Sequence, residues 1–240
     1  MTAKEMSDKI DVLLSSYYLQ HGFGNQQGDT DITLSEYDKS VFLTNAMYDI
    51  VRYYYKGNNN ITLDGFEITE ECRRALSQLI KTQNCGSTNK QSIIGNFYKK
   101  AYKLPSDLWY ILYESVEFEN DSDVCSNNIE VIPVKLDEFK KLISNPFKKP
   151  NNKRIFRLDI DDNKVELVSS YQIVKYTVRY LAKPSPIITT DLPSDVSIEG
   201  MNIYNDCELN SAIHDLIVQM AVSSILTTKS YSQPQSKTKS

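Results

Sequence analysis

The spacing of apolar residues changes once along this 240-residue chain, and that change constrains the fold more than any motif does. Up to Ile80 the apolar side chains recur every three or four positions, the repeat of an amphipathic helix. From Ile93 onward they fall in short runs rich in Val, Ile, Tyr and Phe, as strands require. Helices followed by strands, rather than the two in alternation, imply an α+β chain. The expected organisation is a helical region over residues 1–90, then an antiparallel β-rich middle and a C-terminal helix over residues 91–227. A flexible basic tail is expected over residues 228–240.

Within this frame Met6, Ile10, Leu13, Leu14 and Tyr17 define a first helix. Thr33, Leu34, Ser35 and Glu36 form a capping box, and Ile32 with Tyr37 forms the matching hydrophobic staple, so a second helix is predicted to start there. Its apolar face is Leu43, Ala46, Met47, Ile50, Val51 and Tyr54, and a third helix is expected from Thr69 to Ile80. Strands are predicted at residues 93–102, 109–118, 131–134, 154–158, 164–168 and 171–181. A short helix at residues 137–143 must stop before Pro146, and a last helix starts at Asn210 or Ser211. Trp109 and Tyr110 are neighbours in a predicted strand, which points them to opposite faces.

Composition narrows the function classes. Hydrophobic residues at 40% and charged ones at 24% suit a globular chain, and no apolar run approaches the roughly 20 residues of a membrane span. The N-terminal residues lack a signal-peptide apolar core, so a soluble chain outside the ordinary secretory route is expected. A net charge of −4 argues against a protein that binds nucleic acid over its whole surface. Cys72, Cys85, Cys125 and Cys207 form no C-x-x-C pair, and the histidines are His21 and His214 alone, which argues for reduced thiols and against zinc. Asp159, Asp161 and Asn163 alternate like the opening of a calcium loop, but Lys164 and Ser170 stand where Gly and Glu are required, so a hairpin turn is expected. Gly22, Gly24 and Gly28 lack both a preceding strand and the Lys-Ser/Thr ending of a phosphate loop. No catalytic residue, cofactor site or metal site is expected.

The charges carry more information. Residues 107–130 hold seven acidic side chains and no Lys or Arg, whereas residues 133–157 carry eight basic side chains against Asp137 and Glu138. Two such blocks either offset each other as solvated faces or meet, within one subunit or head to tail between neighbours.

A resemblance adds to this reading. LPSDLWYILYESVEF, VIPVKLDEFKKLISNPFKKPNNKRIFRLDI, VKYTVRYLAKPSPIITTDLP and CELNSAIHDLIVQMAV, in that order, resemble a family of virion structural proteins of crAss-like phages of Bacteroidales. The most specific pieces are NPFKKP at residues 145–150, RYLAKPSPII at 179–188 and CEL at 207–209. The resemblance implies a non-enzymatic head-to-tail connector, a ring of the portal-proximal neck and tail, with no cofactor. The partners it implies are further copies of the chain in a cyclic, dodecameric ring, the portal protein and neighbouring ring or tail proteins. Packaged DNA would be channel contents only, no membrane is involved, and the location is the virion, with the host cytoplasm as the place of assembly. The expected interface residues are Glu114, Glu117 and Glu119, Lys140, Lys141, Lys148 and Lys149, Trp109, and Tyr231 as the anchor of the basic tail. The alternatives are a tube or stopper-like tail component and a metal-dependent phage nuclease or hydrolase.

Overall fold

The computed structural model describes residues 1–20, 34–56, 70–88, 92–119, 129–161 and 163–232, so His21, Thr33, Cys125 and the Gly22 to Gly28 segment lie outside the described residues. Two compact units divide the chain, Met1–Leu79 with Pro184–Ser240 and Ile80–Lys183. The first holds helices α1 (Ala3–Gln20), α2 (Glu36–Lys56), α3 (Glu70–Leu76) and α5 (His214–Ser232). The second holds strands β1 (Ile80–Asn84), β2 (Ser92–Ile94), β3 (Phe97–Lys103), β4 (Leu108–Phe118), β5 (Glu130–Pro133), β6 (Arg154–Asp161), β7 (Lys164–Ser169) and β8 (Ile173–Ala182), and helix α4 (Leu136–Ser144). This α+β division differs from the expected one at residues 90 and 227, because α5 packs with α1 and α2 rather than with the strands.

In the helical unit, Met6 and Ile10 of α1, Leu43, Met47 and Ile50 of α2, and Ile217 and Ala221 of α5 are buried. A buried lysine ties this core together. Lys39, 4% exposed, donates from Nζ to Asp11 Oδ2 at 2.6 Å, Glu36 Oε1 at 2.9 Å and Ser7 Oγ at 3.2 Å. Thr189 Oγ1 donates to Glu36 Oε2 at 2.7 Å, so one ionic cluster links α1, α2 and the segment after β8. The helix cap lies two residues beyond the one expected. Ser35 caps α2 instead, accepting from the Asp38 N–H at 3.1 Å.

The segment from Pro184 to Asn210 has few regular elements but is held to α2 by hydrogen bonds. The N–H of Ile187 donates to Thr44 Oγ1 and that of Thr189 to Ser40 Oγ, while Tyr48 Oη donates to Glu199 at 2.8 Å. Glu199 and Gly200 both have positive φ, as a tight two-residue turn between Ile198 and Met201 demands. Asn210 caps the turn before α5 by accepting from the Ala212 N–H. His214 is buried, bonded through Nδ1 to the Met1 amino group and through Nε2 to the Leu209 carbonyl, which gives it a structural role.

Two helix ends depart from expectation. α3 stops at Leu76, and after a 3-10 turn residues Ile80–Asn84 become β1, because the edge of β8 offers them an antiparallel ladder from Leu181 to Thr177. α5 continues to Ser232, beyond the expected start of the tail at residue 228, since no helix breaker intervenes before Pro234.

The second unit is a sandwich. A three-stranded sheet, β1-β8-β4, faces a five-stranded sheet, β2-β3-β7-β6-β5, across a core of Tyr102, Val116, Phe118, Ile155, Leu167 and Tyr176. Alternation sorts the second sheet cleanly. Ile155 and Leu167 point inward, whereas Phe156, Leu158 and Val168 point outward beneath Phe139, Leu142 and Ile143 of α4. The predicted strand at 93–102 is a hairpin instead, broken where Gly95 adopts φ +60°. One pair is parallel, not antiparallel: β5 and β6 run the same way because α4 is the crossover between them. Residues on either side of position 162 form the expected hairpin turn, with Asp161 paired to Lys164.

The Lys39 cluster predicts a pH profile. Burial alone would raise the Glu36 carboxyl, but hydrogen bonds from Lys39, Thr189 and Ser7 outweigh it and hold it below the usual range. Burial likewise would lower Lys39, and its bonds to Asp11 and Glu36 raise it instead. A lowered acid stabilises the fold above its unfolded pKa and loses that contribution as pH falls through its folded one; a raised lysine loses its contribution as pH rises through its folded one. Stability from urea denaturation should therefore plateau from about pH 5 to 10 and fall on both sides. Lys39→Met should lower the plateau by about 2 kcal/mol and flatten both shoulders.

Candidate subunit interface

Strand β4 is an edge strand, and its ladder with β8 slips twice near its start, between Leu108 and Tyr110 and between Ile111 and Tyr113. Each slip is a bulge that places an extra residue, Trp109 or Leu112, on the edge. The first bulge cancels the expected alternation. Trp109 and Tyr110 do not diverge to opposite faces; their rings stack with centroids 5.4 Å apart and planes 17° apart.

Both rings line a cleft of about 660 Å³ on the open side of the sandwich, between edge strands β4 and β5. Its apolar wall continues through Leu104, Leu108, Ile111 and Val131, and its polar wall is Glu114, Arg157, Asp159, Asp161 and Glu130. Arg157 points inward from β6 and donates from Nη1 to Glu114 Oε2 at 2.6 Å, bridging the two sheets with side chains only 12% and 9% exposed. Its Nε donates to Asp159 at 3.0 Å, and Tyr176 Oη hydrogen-bonds the other Glu114 oxygen. Burial raises the Glu114 carboxyl, although Tyr176 and Arg157 pull against that rise.

The expected interface residues therefore separate. Glu114 lies in the cleft wall with its side chain 9% exposed, and its charge is matched by Arg157 of the same chain. Glu117 is exposed but paired to Lys175 at 2.6 Å, and Glu119 is exposed just beyond the end of β4. Lys140 and Lys141 on α4, and Lys148 and Lys149 in the turn that follows, are all exposed, and none makes an ion pair among the described residues. Trp109 is half-buried in the cleft wall. Tyr231 belongs to α5, and its side chain lies outside the described residues. Sequence reasoning missed Asp159 and Asp161 as interface candidates because it read them as turn residues only.

The basic turn is built as firmly as the cleft. Asn145 ends α4, its Oδ1 accepting from the Phe147 N–H at 2.9 Å and its carbonyl accepting from the N–H groups of Lys148 and Lys149. Pro150 is buried, with its carbonyl held by Ser170 Oγ. Phe147 is left 90% exposed between these anchors.

Comparison with known proteins assigns the chain. The family model of phage tail ring protein 3/4 matches residues 1–239, which takes in both units. The chain belongs to this family. Ring protein 3 of Bacteroides phage crAss001 is 39% identical over 233 residues, 95% of this chain and 96% of that protein. Ring protein 4/5 of the same phage is 32% identical over 231 residues, 92% and 91% of the two chains. The ring protein is thus a structural component of the virion, and the resemblance, first carried by residues 104–222, extends through the N-terminal helices. No group of three or more metal-ligating side chains occurs among the described residues, and no helix among them is long and apolar enough to cross a membrane. Cys72, Cys85 and Cys207 form no disulfide with one another, and burial pushes Cys85 and Cys207 up to about 11.

These positions make fold and assembly separable by mutation. Arg157→Met strands Glu114 as a buried, unmatched charge and should destabilise the ring protein by about 3 kcal/mol in urea denaturation. Alanine at Lys140, Lys141, Lys148 or Lys149 should stay within about 0.5 kcal/mol of wild type in the same assay.

Proposed function

We propose that this ring protein is a non-enzymatic head-to-tail connector, twelve copies of which close a ring between portal and tail around the channel that DNA traverses. The observation that carries this reading is the polarity of the sandwich unit. Its solvated lysines, Lys140, Lys141, Lys148 and Lys149, cluster on α4 and the turn after it, while the cleft carries Glu130, Asp159 and Asp161. A surface of one sign and a recess of the other on the same subunit suit a heterologous contact, which closes into a ring when the rotation between neighbours permits. Membership of a ring family over the whole chain supports assembly as the activity. The portal and the adjoining ring or tail proteins are the remaining partners, with assembly in the host cytoplasm. The basic C-terminal residues Lys229, Lys237 and Lys239 dock on one of these neighbours, with Tyr231 as the large apolar side chain nearby.

A cryo-EM map of the virion neck tests this. The expected result is twelve copies of the chain around the tail axis between portal and tail; a map that places it elsewhere, or without rotational symmetry, overturns the connector reading. Truncation after Ser232, which keeps α5 with Lys229 and Tyr231 and removes Lys237 and Lys239, should reduce incorporation into virions, measured by quantitative mass spectrometry of purified particles.

A further inference from the structure

We infer that the turn at residues 145–150 of one copy seats its Phe147 in the cleft between β4 and β5 of the next copy. The inference rests on the head-to-tail reading above and names the contact that links neighbours. An aromatic ring left 90% exposed at the tip of a turn has no role in its own subunit's core. The turn that carries it is pre-set by Asn145, Pro146 and Pro150, so little ordering is needed when it docks.

The cleft offers the complement of that turn. Its apolar wall, with the stacked rings of Trp109 and Tyr110, suits an aromatic side chain, and about 660 Å³ falls within the ~300–1,000 Å³ of recesses that enclose small ligands. Lys148 and Lys149 follow Phe147 directly, and the cleft presents Glu130, Asp159 and Asp161 with Arg157 as its one basic lining residue. Apolar tip meets apolar wall and paired lysines meet carboxylates, so charge favours encounter in one orientation.

The exposure of Phe147 makes the occupant a second copy rather than the same chain. The turn lies beside Gly95, Phe97 and Ser170, at the end of the sheet where β6 begins. The cleft runs along β5 and β6, from Glu130 opposite Arg154 to Asp161, and continues to Val165 of β7 and to Leu104 just after β3. Phe147 lines none of this cleft and is 90% exposed, and its turn is anchored at both ends, by Asn145 and through the Pro150 carbonyl, so it does not reach the cleft of its own chain. A knob and a recess that do not meet within one unit are what a repeating ring contact requires.

Virions assembled from chains carrying photoreactive benzoylphenylalanine in place of Phe147 test this. Irradiation should give a dimer-sized adduct whose partner peptide lies within residues 104–114, 129–133 or 157–165. An adduct to a different virion protein, an adduct elsewhere on this chain, or no adduct, in particles whose maps retain the ring, overturns the docking and leaves the ring reading intact. A map with no cyclic array of the chain overturns both. Phe147→Ser should leave thermal unfolding unchanged and weaken association about tenfold to a hundredfold, with Phe147→Leu recovering part of the loss. Reversing both Lys148 and Lys149 to Glu should impair incorporation, and adding Asp159→Lys and Asp161→Lys should restore it. Failure of that restoration counts against the docking.

Discussion

The contact between Arg157 and Glu114 is the constraint on which the sandwich unit depends. It joins β6 of one sheet to β4 of the other through the core, and Tyr176 and Asp159 complete its hydrogen bonds. Desolvating two charges offsets most of their attraction, so such a pair adds little net stability over an apolar pair of the same volume. Its consequence is positional. A carboxylate and a guanidinium must stay within hydrogen-bond reach between the sheets, and the open side above them becomes a polar-floored cleft instead of a continuous apolar seam.

Around that contact the unit divides its labour by strand parity. The inward residues of β6 and β7 build the core, and the outward ones, Phe156, Leu158 and Val168, accept α4. α4 is nine residues long and contributes no fully buried side chain, yet its crossover makes β5 parallel to β6 and carries the chain to the turn that exposes Phe147. The bulges of β4 act on the opposite rim, stacking Trp109 on Tyr110 and disrupting an edge that a regular strand would leave open to unselective pairing.

The helical unit is organised differently. Its buried lysine is satisfied by three oxygens, and the segment after β8 is hydrogen-bonded to α2 through backbone N–H groups and hydroxyls. The resemblance motif at residues 179–188 therefore spans both units: its strand residues complete the ladder of β8, and Pro184, Ile187 and Ile188 bind α2 and the buried loop core. The CEL motif ends at Leu209, whose carbonyl holds His214. These pieces carry packing and hydrogen bonds rather than chemistry.

Local patterning was enough to reveal α1, α2, α4, the start of α5 and most strands, because their periodicity and caps are properties of neighbouring residues alone. The family was legible too, since its motifs are contiguous. Tertiary structure decided the rest, wherever a distant partner outweighed local preference. Ile80 to Asn84 left a helix for the edge of β8, Glu36 left a capping box for Lys39, and Glu114 left an apparent acidic surface for Arg157, which lies 43 residues away. The cleft was illegible for the same reason: its walls come from three separated stretches, and two bulges reverse the alternation from which side-chain direction is read. Residue types and their periods determine which elements can form, whereas burial and long-range pairing determine which charges remain available at the surface.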